Sequence, residues 1–337
     1  MHPNRFKTMI VSMILLAILG CGCSQMNGGD TMQSNEMIPA SLEDQAITSE
    51  SGKSTEESAV KKGELKNGTL VNGGLTREYT LYLPVGLGEK APLVFALHGF
   101  TESSTNMMYS SRLNRIADRE GFAVCYPQGS RTDDGKTFWE AGYAFTQKYG
   151  VDDVAFLSQL AHELQSMYGF HEENTFVTGM SNGADMTILL GVKATDVFHA
   201  FAPVCGCMMD VTWESHRDSP AVPVLMINSD KDPITRWEGD MENHDGWGAY
   251  HSTDDLTQFF ASKIKSVIST VTVLPDVYKA DMSSVVETRY ANPDTSIQVR
   301  ALRVEGGGHD WPGFSGNMDI DASEEVWAFF KQYIEKP

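Results

Sequence analysis

Positive charge is scarce in this chain. Its 26 Lys and Arg residues face 45 Asp and Glu, giving a formal net charge of -19. That balance opposes binding to nucleic acid and disfavours strongly uronylated polysaccharide. The acidity is spread rather than blocked, so its chief effect is solubility. Cysteine is scarce too, at five residues. Cys21 and Cys23 lie near the start, Cys125 falls in an apolar stretch, and the pair Cys205 and Cys207 lacks the second half that a C-x-C metal site needs. No metal or organic cofactor is called for, and the three later cysteines read as buried small hydrophobes or as holding one disulfide. No apolar run reaches the ~20 residues of a membrane span. There is no internal repeat, and the length leaves no room for a second catalytic or carbohydrate-binding module.

The start of the chain has a targeting pattern. Arg5 and Lys7 precede the apolar stretch from Met9 to Gly20, and Cys21 follows. A basic start, about a dozen apolar residues and a small residue at the end describe a signal peptide. Ile18-Leu19-Gly20-Cys21 resembles a bacterial lipobox with Cys21 as the lipidated residue, although Leu19 is bulkier than usual. The expectation is a leader over 1–21, a polar and aperiodic tether over 22–63 that carries no structure of its own, and one folded domain over 64–337. Such a protein would sit on a bacterial cell surface, touching the membrane only through its lipid.

Inside the domain, apolar runs of the buried parallel-strand type alternate with helical patterns, which argues for an α/β fold with helices on both faces of a mostly parallel sheet. The runs are Pro92–Leu97, Phe122–Tyr126, Ala221–Asn228 and Ile297–Val304. The stretch Thr105–Glu120 places Met108, Leu113, Ile116 and Ala117 on one helical face. A second helix carries Val154, Leu157, Leu160, Ala161 and Leu164, with Asp152 or Asp153 as its cap. Asp321 or Ser323 begins the last helix, which turns Val326, Phe329, Phe330 and Tyr333 inward.

The chemistry is concentrated in Gly179-Met180-Ser181-Asn182-Gly183, which follows the β-prone run Thr175–Thr178 and precedes a helical pattern. G-x-S-x-G between a strand and a helix is the setting of a serine-hydrolase nucleophile elbow. Small residues at 179 and 183 let strand and helix approach, and Ser181 stands at the helix N-terminus, where the dipole favours negative charge. A hydroxyl needs a base and the base needs an orienting acid. After the serine, one histidine has the right setting: His309 lies in the glycine-rich loop that follows Ile297–Val304, and an imidazole, with a reference pKa of ~6.5 for the residue type, suits a general base. Behind Ala221–Asn228 two aspartates compete. Asp232 precedes Pro233 and is biased toward extended geometry, whereas Asp230 could cap or brace the turn. An oxyanion hole would use the backbone N–H groups of Asn182 and Phe100, with Thr101 as the fallback for the second. His98 precedes the serine and adjoins a glycine turn, which points to a structural role.

Six segments stand in a shared order: Leu97-His98-Gly99, Val124–Gly129, Trp139–Gly142, Val151–Phe156, Gly179–Gly183 and Gly307–Gly313. Together they resemble the secreted esterases of the polyhydroxybutyrate-depolymerase type, which include feruloyl and acetylxylan esterases. The similarity runs from about Leu75 to Tyr333. It implies an α/β-hydrolase fold and a serine esterase whose triad is Ser181, Asp232 and His309. One departure is visible: the acid loop commonly reads His-Gly before the aspartate, and here Asn228-Ser229-Asp230-Lys231 precedes Asp232. Trp139 and Trp311 are candidate substrate contacts, and Trp237, Trp247 and Tyr250 fall in a loop-rich insertion suited to a lid. The resemblance favours feruloyl or acetyl esters on plant cell-wall polysaccharide, with short-chain polyhydroxyalkanoate as the alternative. A non-catalytic, surface-anchored binding lipoprotein on the same scaffold is the alternative of another class.

Overall fold

The computed structural model describes residues 63–335 apart from Ser266. The leader, the lipidation call at Cys21 and the tether as far as Lys62 lie outside those residues. No helix among the described residues is long and apolar enough to cross a membrane.

In chain order the elements are β1 (Glu64–Asn72), β2 (Leu75–Leu83), β3 (Leu93–Leu97), α1 (Ser104–Ser111), α2 (Leu113–Glu120), β4 (Ala123–Pro127), β5 (Ser130–Arg131) and β6 (Thr137–Phe138). Next come α3 (Asp153–Tyr168), β7 (Thr175–Met180), α4 (Asn182–Lys193), β8 (Phe201–Val204), α5 (Asp210–Ser215) and β9 (Val224–Ser229). The chain closes with α6 (Thr253–Ala261), β10 (Ile268–Val273), β11 (Ser284–Ala291), β12 (Gln298–Glu305) and α7 (Ala322–Phe330).

Ten strands form one sheet in the order β1-β2-β4-β3-β7-β8-β9-β12-β11-β10. The middle run from β4 to β12 is parallel, and antiparallel strands close both edges. Parallel strands are buried on both faces, which is why β3, β4 and β8 read as unbroken apolar runs. Within β3, Leu93, Phe95 and Leu97 pack with α3, α4 and α6 on one side of the sheet. Val94 and Ala96 pack with α1, α2 and α7 on the other. Alternation along a strand thus sorts side chains into two cores. The parallel strands end their carboxyl termini along one rim, and that rim carries the site.

The expected helix over Thr105–Glu120 is two helices. Arg112 adopts φ 52, a left-handed conformation that ends α1 and starts α2. The break turns the inward methionine from Met108 to Met107, while Leu113, Ile116 and Ala117 keep the buried face of α2. Asp152 is the cap of α3 and accepts from the N–H of Ala155, whereas Asp153 is buried against Arg77 at 2.6 Å. Asp321 caps α7.

Candidate active site

The elbow is built by steric necessity. Ser181 sits between β7 and α4 with φ 55 and ψ -124, a strained conformation for a residue with a Cβ. A Cβ at Gly179 would lie 2.4 Å from the carbonyl oxygen of Gly183, and one at Gly183 would lie 2.3 Å from that of Leu97. Only glycine lets strand, turn and helix meet here. The Asn182 side chain then clamps the neighbouring loop. Its Oδ1 accepts from the Trp139 N–H at 2.7 Å, and its Nδ2 donates to the Trp139 carbonyl at 3.0 Å.

Strands β7, β8, β9 and β12 are consecutive neighbours. Their ends therefore bring Ser181, Cys205, Asp232 and His309 to adjacent places on the rim. His309 Nδ1–H donates to Asp232 Oδ2 at 2.7 Å, since an ionised carboxylate can only accept. That bond fixes the tautomer and leaves Nε2 as the basic nitrogen. The other oxygen of the buried Asp232 accepts from the N–H groups of Ile234 and Thr235 at 2.8 and 2.9 Å. Asp230 does different work: it accepts from the Gly306 N–H and pairs with Arg303, bracing the turn. Pro233 thus follows the aspartate that reaches inward.

Behind this pair, the Cys205 thiol donates to the Asp310 carbonyl at 3.3 Å. Cys205, Asp232 and His309 offer three potential ligand atoms within 4.8 Å of one another. Burial pushes the Cys205 thiol well above the usual range, so it keeps its proton. Cys125, Cys205 and Cys207 are all free and buried.

His98 is fully buried and structural. Its Nδ1–H donates to the Gly99 carbonyl at 2.8 Å and its Nε2 accepts from the Gly129 N–H at 2.9 Å. Burial pulls its pKa down to about 4, so it stays neutral. It thereby pins the Gly99-Phe100 loop. In that loop the Thr101 N–H is committed to the Thr137 carbonyl at 2.9 Å, which removes the fallback donor.

Ser181 opens onto a cavity of about 20 Å³ whose walls include Phe100, Tyr143, Asp185, Met209, Ile234 and Trp247. Cys207, Thr235 and Tyr250 complete it. Neither expected tryptophan contact is there. Trp139 and Trp311 are buried, with their indole N–H groups on the His98 carbonyl and the Ser323 hydroxyl. Amphipathic rings beside such loops suggest substrate contacts, but here they pack beneath the loops. Of the insertion's aromatics, Trp247 and Tyr250 reach the cavity, whereas the Trp237 indole donates to Asp254. Edge-to-face contacts join Phe100 to Phe145 and Trp247.

Asp185 had no signal beyond its place one turn after Ser181. It is buried, accepts from the Tyr143 hydroxyl at 2.5 Å and from the Cys207 N–H at 2.7 Å, and burial pushes its carboxyl up to about 7. It ties α4, the Tyr143 loop and the Cys207 loop together at the cavity wall.

Comparison with known proteins agrees with this architecture. The chain is 29% identical over 267 residues to the putative esterase NocK of Nocardia uniformis subsp. tsuyamanensis, covering 72% of this chain and 73% of that protein. It is 23% identical to the bifunctional acetylxylan esterase/xylanase XynS20E of Neocallimastix patriciarum, covering 77% of this chain but about a third (34%) of that protein. Among solved structures, the acetyl xylan esterase of Aspergillus awamori superposes with a TM-score of 0.56 at 14% identity, covering 80% of this chain and 100% of that one. That likeness establishes the α/β-hydrolase fold. The family model described as esterase PHB depolymerase matches residues 77–273, more than half of the chain. The chain belongs to the esterase PHB depolymerase family and is a carboxylic-ester hydrolase.

Proposed function

We propose that this enzyme removes acetyl groups from plant cell-wall polysaccharide through an acyl-enzyme on Ser181. The observation that carries the acyl choice is the cavity beside Ser181. Its innermost space of about 20 Å³ takes one or two water-sized groups, room that a methyl fills. The acetylxylan activity in the name of the Neocallimastix relative supports the same reading.

The steps follow from the side chains. Ser181 Oγ attacks the ester carbonyl while His309 Nε2 takes its proton, and Asp232 holds the imidazole and balances its charge. The tetrahedral oxyanion lies against the N–H groups of Asn182 and Phe100, each worth ~2.7–4 kcal/mol to the transition state. His309 then gives its proton to the leaving sugar oxygen as the carbonyl re-forms. Water repeats the cycle, giving up its proton to His309, and releases acetate. The leader would be cut before Cys21, and lipid there would hold the enzyme at the cell surface; Cys21→Ser should then move it from membranes to the medium.

A panel of p-nitrophenyl acetate, p-nitrophenyl butyrate, methyl ferulate, acetylated xylan and hydroxybutyrate oligomers tests the reading. Acetate release should dominate, and Ser181→Ala should lower turnover by about 10⁴-fold or more. Turnover equal to that of Ser181→Ala would mean a binding protein without catalysis. Dominant release of ferulate or hydroxybutyrate would shift the substrate to the bulkier esters, which the aromatic walls would favour if the insertion opened.

A further inference from the structure

We infer that the cleft between the start of β2 and the β4–β5 turn is a glycan subsite, which holds neutral sugar units of the chain bearing the scissile ester. The choice of a sugar rests on the proposed polysaccharide ester; the cleft itself does not. The cavity beside Ser181 receives the acyl group, so the sugar chain on the alcohol side runs out along the rim. The cleft lies on that rim. Tyr79 stands opposite Pro127 in antiparallel register, which sets Leu75–Glu78 at and beyond the carboxyl end of β4. Strands β4, β3 and β7 are parallel, so their carboxyl ends share one side of the sheet with Ser181. Three strand spacings separate β2 from β7, roughly 14 Å, a span of a few sugar units.

The lining suits a sugar. The cleft has a volume of about 370 Å³, within the ~300–1,000 Å³ of small-molecule sites. Leu75 and Tyr149 give it an apolar wall, and Glu78, Ser130 and Arg131 give it polar groups. The Ser130 Oγ is buried without a partner, a state that a ligand hydroxyl would relieve. Glu78 and Arg131 are exposed and enter no ion pair among the described residues; the Arg131 guanidinium donates to the Gly135 carbonyl at 3.3 Å. The neighbouring charges are already matched, Arg77 with the buried Asp153, Lys136 with Asp134 and Lys148 with Asp133. A carboxylate accepts and a guanidinium donates, so the two together serve hydroxyls, which do both. Their opposite charges cancel, and Glu78 turns away the carboxylate of a uronate. Gln128 also lines the cleft, with its amide fixed at both ends. Its Oε1 accepts from the Ser104 N–H at 3.0 Å, and its Nε2 donates to His98 Nε2 at 3.0 Å. His98 also pins the Gly99-Phe100 loop, so cleft and oxyanion loop share one rigid support.

Binding without turnover tests the subsite. The full-length chain carrying Ser181→Ala is titrated by calorimetry with unsubstituted xylohexaose, a neutral sugar chain that has no ester. The hexaose should bind one to one. Adding Glu78→Ala and Arg131→Ala should weaken binding by about tenfold or more, the scale of a lost charge-assisted hydrogen bond. Melting temperatures equal to the parent's would show that the variants are folded. Absence of hexaose binding, or equal binding by the variants, overturns the subsite. Equal affinity for a hydroxybutyrate oligomer overturns the assignment to sugar. With Ser181 restored, kcat/KM on acetylated xylo-oligosaccharides should climb several-fold from dimer to hexamer, and Arg131→Ala should flatten the climb; an unchanged climb also overturns the subsite. Failure to release acetate from xylan at all would sink the acetyl reading alone, since hexaose binding decides the subsite without any turnover.

Discussion

At Asp185 a carboxyl is buried one helical turn from Ser181, with its oxygens on a tyrosine hydroxyl and a backbone N–H. Its pKa lies at about 7 instead of the ordinary 3.8, because burial disfavours the charge. In this range the folded protein binds more protons than the unfolded chain. The group's contribution is therefore complete below about pH 3.8 and is lost as pH rises through about 7. Asp185→Asn can keep the bond from the Cys207 N–H on its Oδ1 and donate its Nδ2–H to the Tyr143 hydroxyl oxygen, reversing that bond, without the charge. The variant should melt higher than the parent at pH 8, and the gap should close as pH falls toward 4; calorimetry across that range checks it. Ser181, Asp232 and His309 are legible as candidates because each lies on a loop whose flanking strand, glycines or proline are local signals. Asp185 and Cys205 had no such signal, since what makes them matter is contact across the chain. Trp139 and Trp311 were legible as aromatics near the site, but their side-chain direction was not.

Elements carry their own constraints. The β7–α4 turn tolerates no Cβ at 183, where one would meet backbone oxygens of Leu97 and His98 within 2.6 Å. Gly183→Ala should destabilise the fold by about 3 kcal/mol or more, or ~10 °C in Tm for a domain of this size, and thermal melts would measure it. The insertion between β9 and α6 sets cavity size through Trp247. Trp247→Ala should raise kcat/KM for butyrate relative to acetate by about tenfold, roughly two methylenes of added room; paired p-nitrophenyl esters would reveal it. The buried strands were legible because both faces are apolar. Strands β1, β2, β10 and β11 were not, since their exposed or half-exposed faces leave short mixed patterns. The break at Arg112 was hidden too: a left-handed arginine has no signature of its own in the sequence.

For the molecule as a whole, the net charge of -19 acts at a distance. It should repel an acetylated xylan that carries uronic acids more than a neutral one, and salt should screen that repulsion, with a Debye length of ~10 Å at 0.1 M. Raising ionic strength from about 0.01 to 0.1 M should therefore increase kcat/KM on uronate-bearing xylan and leave that on neutral acetylated oligosaccharide nearly constant; initial rates on both substrates would test this. The fold class followed from the alternation of strand and helix patterns. The closing of both sheet edges by antiparallel hairpins did not, because pairing is decided by partners distant in the chain.

The three buried thiols at 125, 205 and 207 have a further consequence. With them unbridged, nothing among the described residues waits on an oxidant before it can mature. Dithiothreitol should leave the described fold's refolding yield untouched, and residues 63–335 can ripen as readily without air as in an aerated habitat.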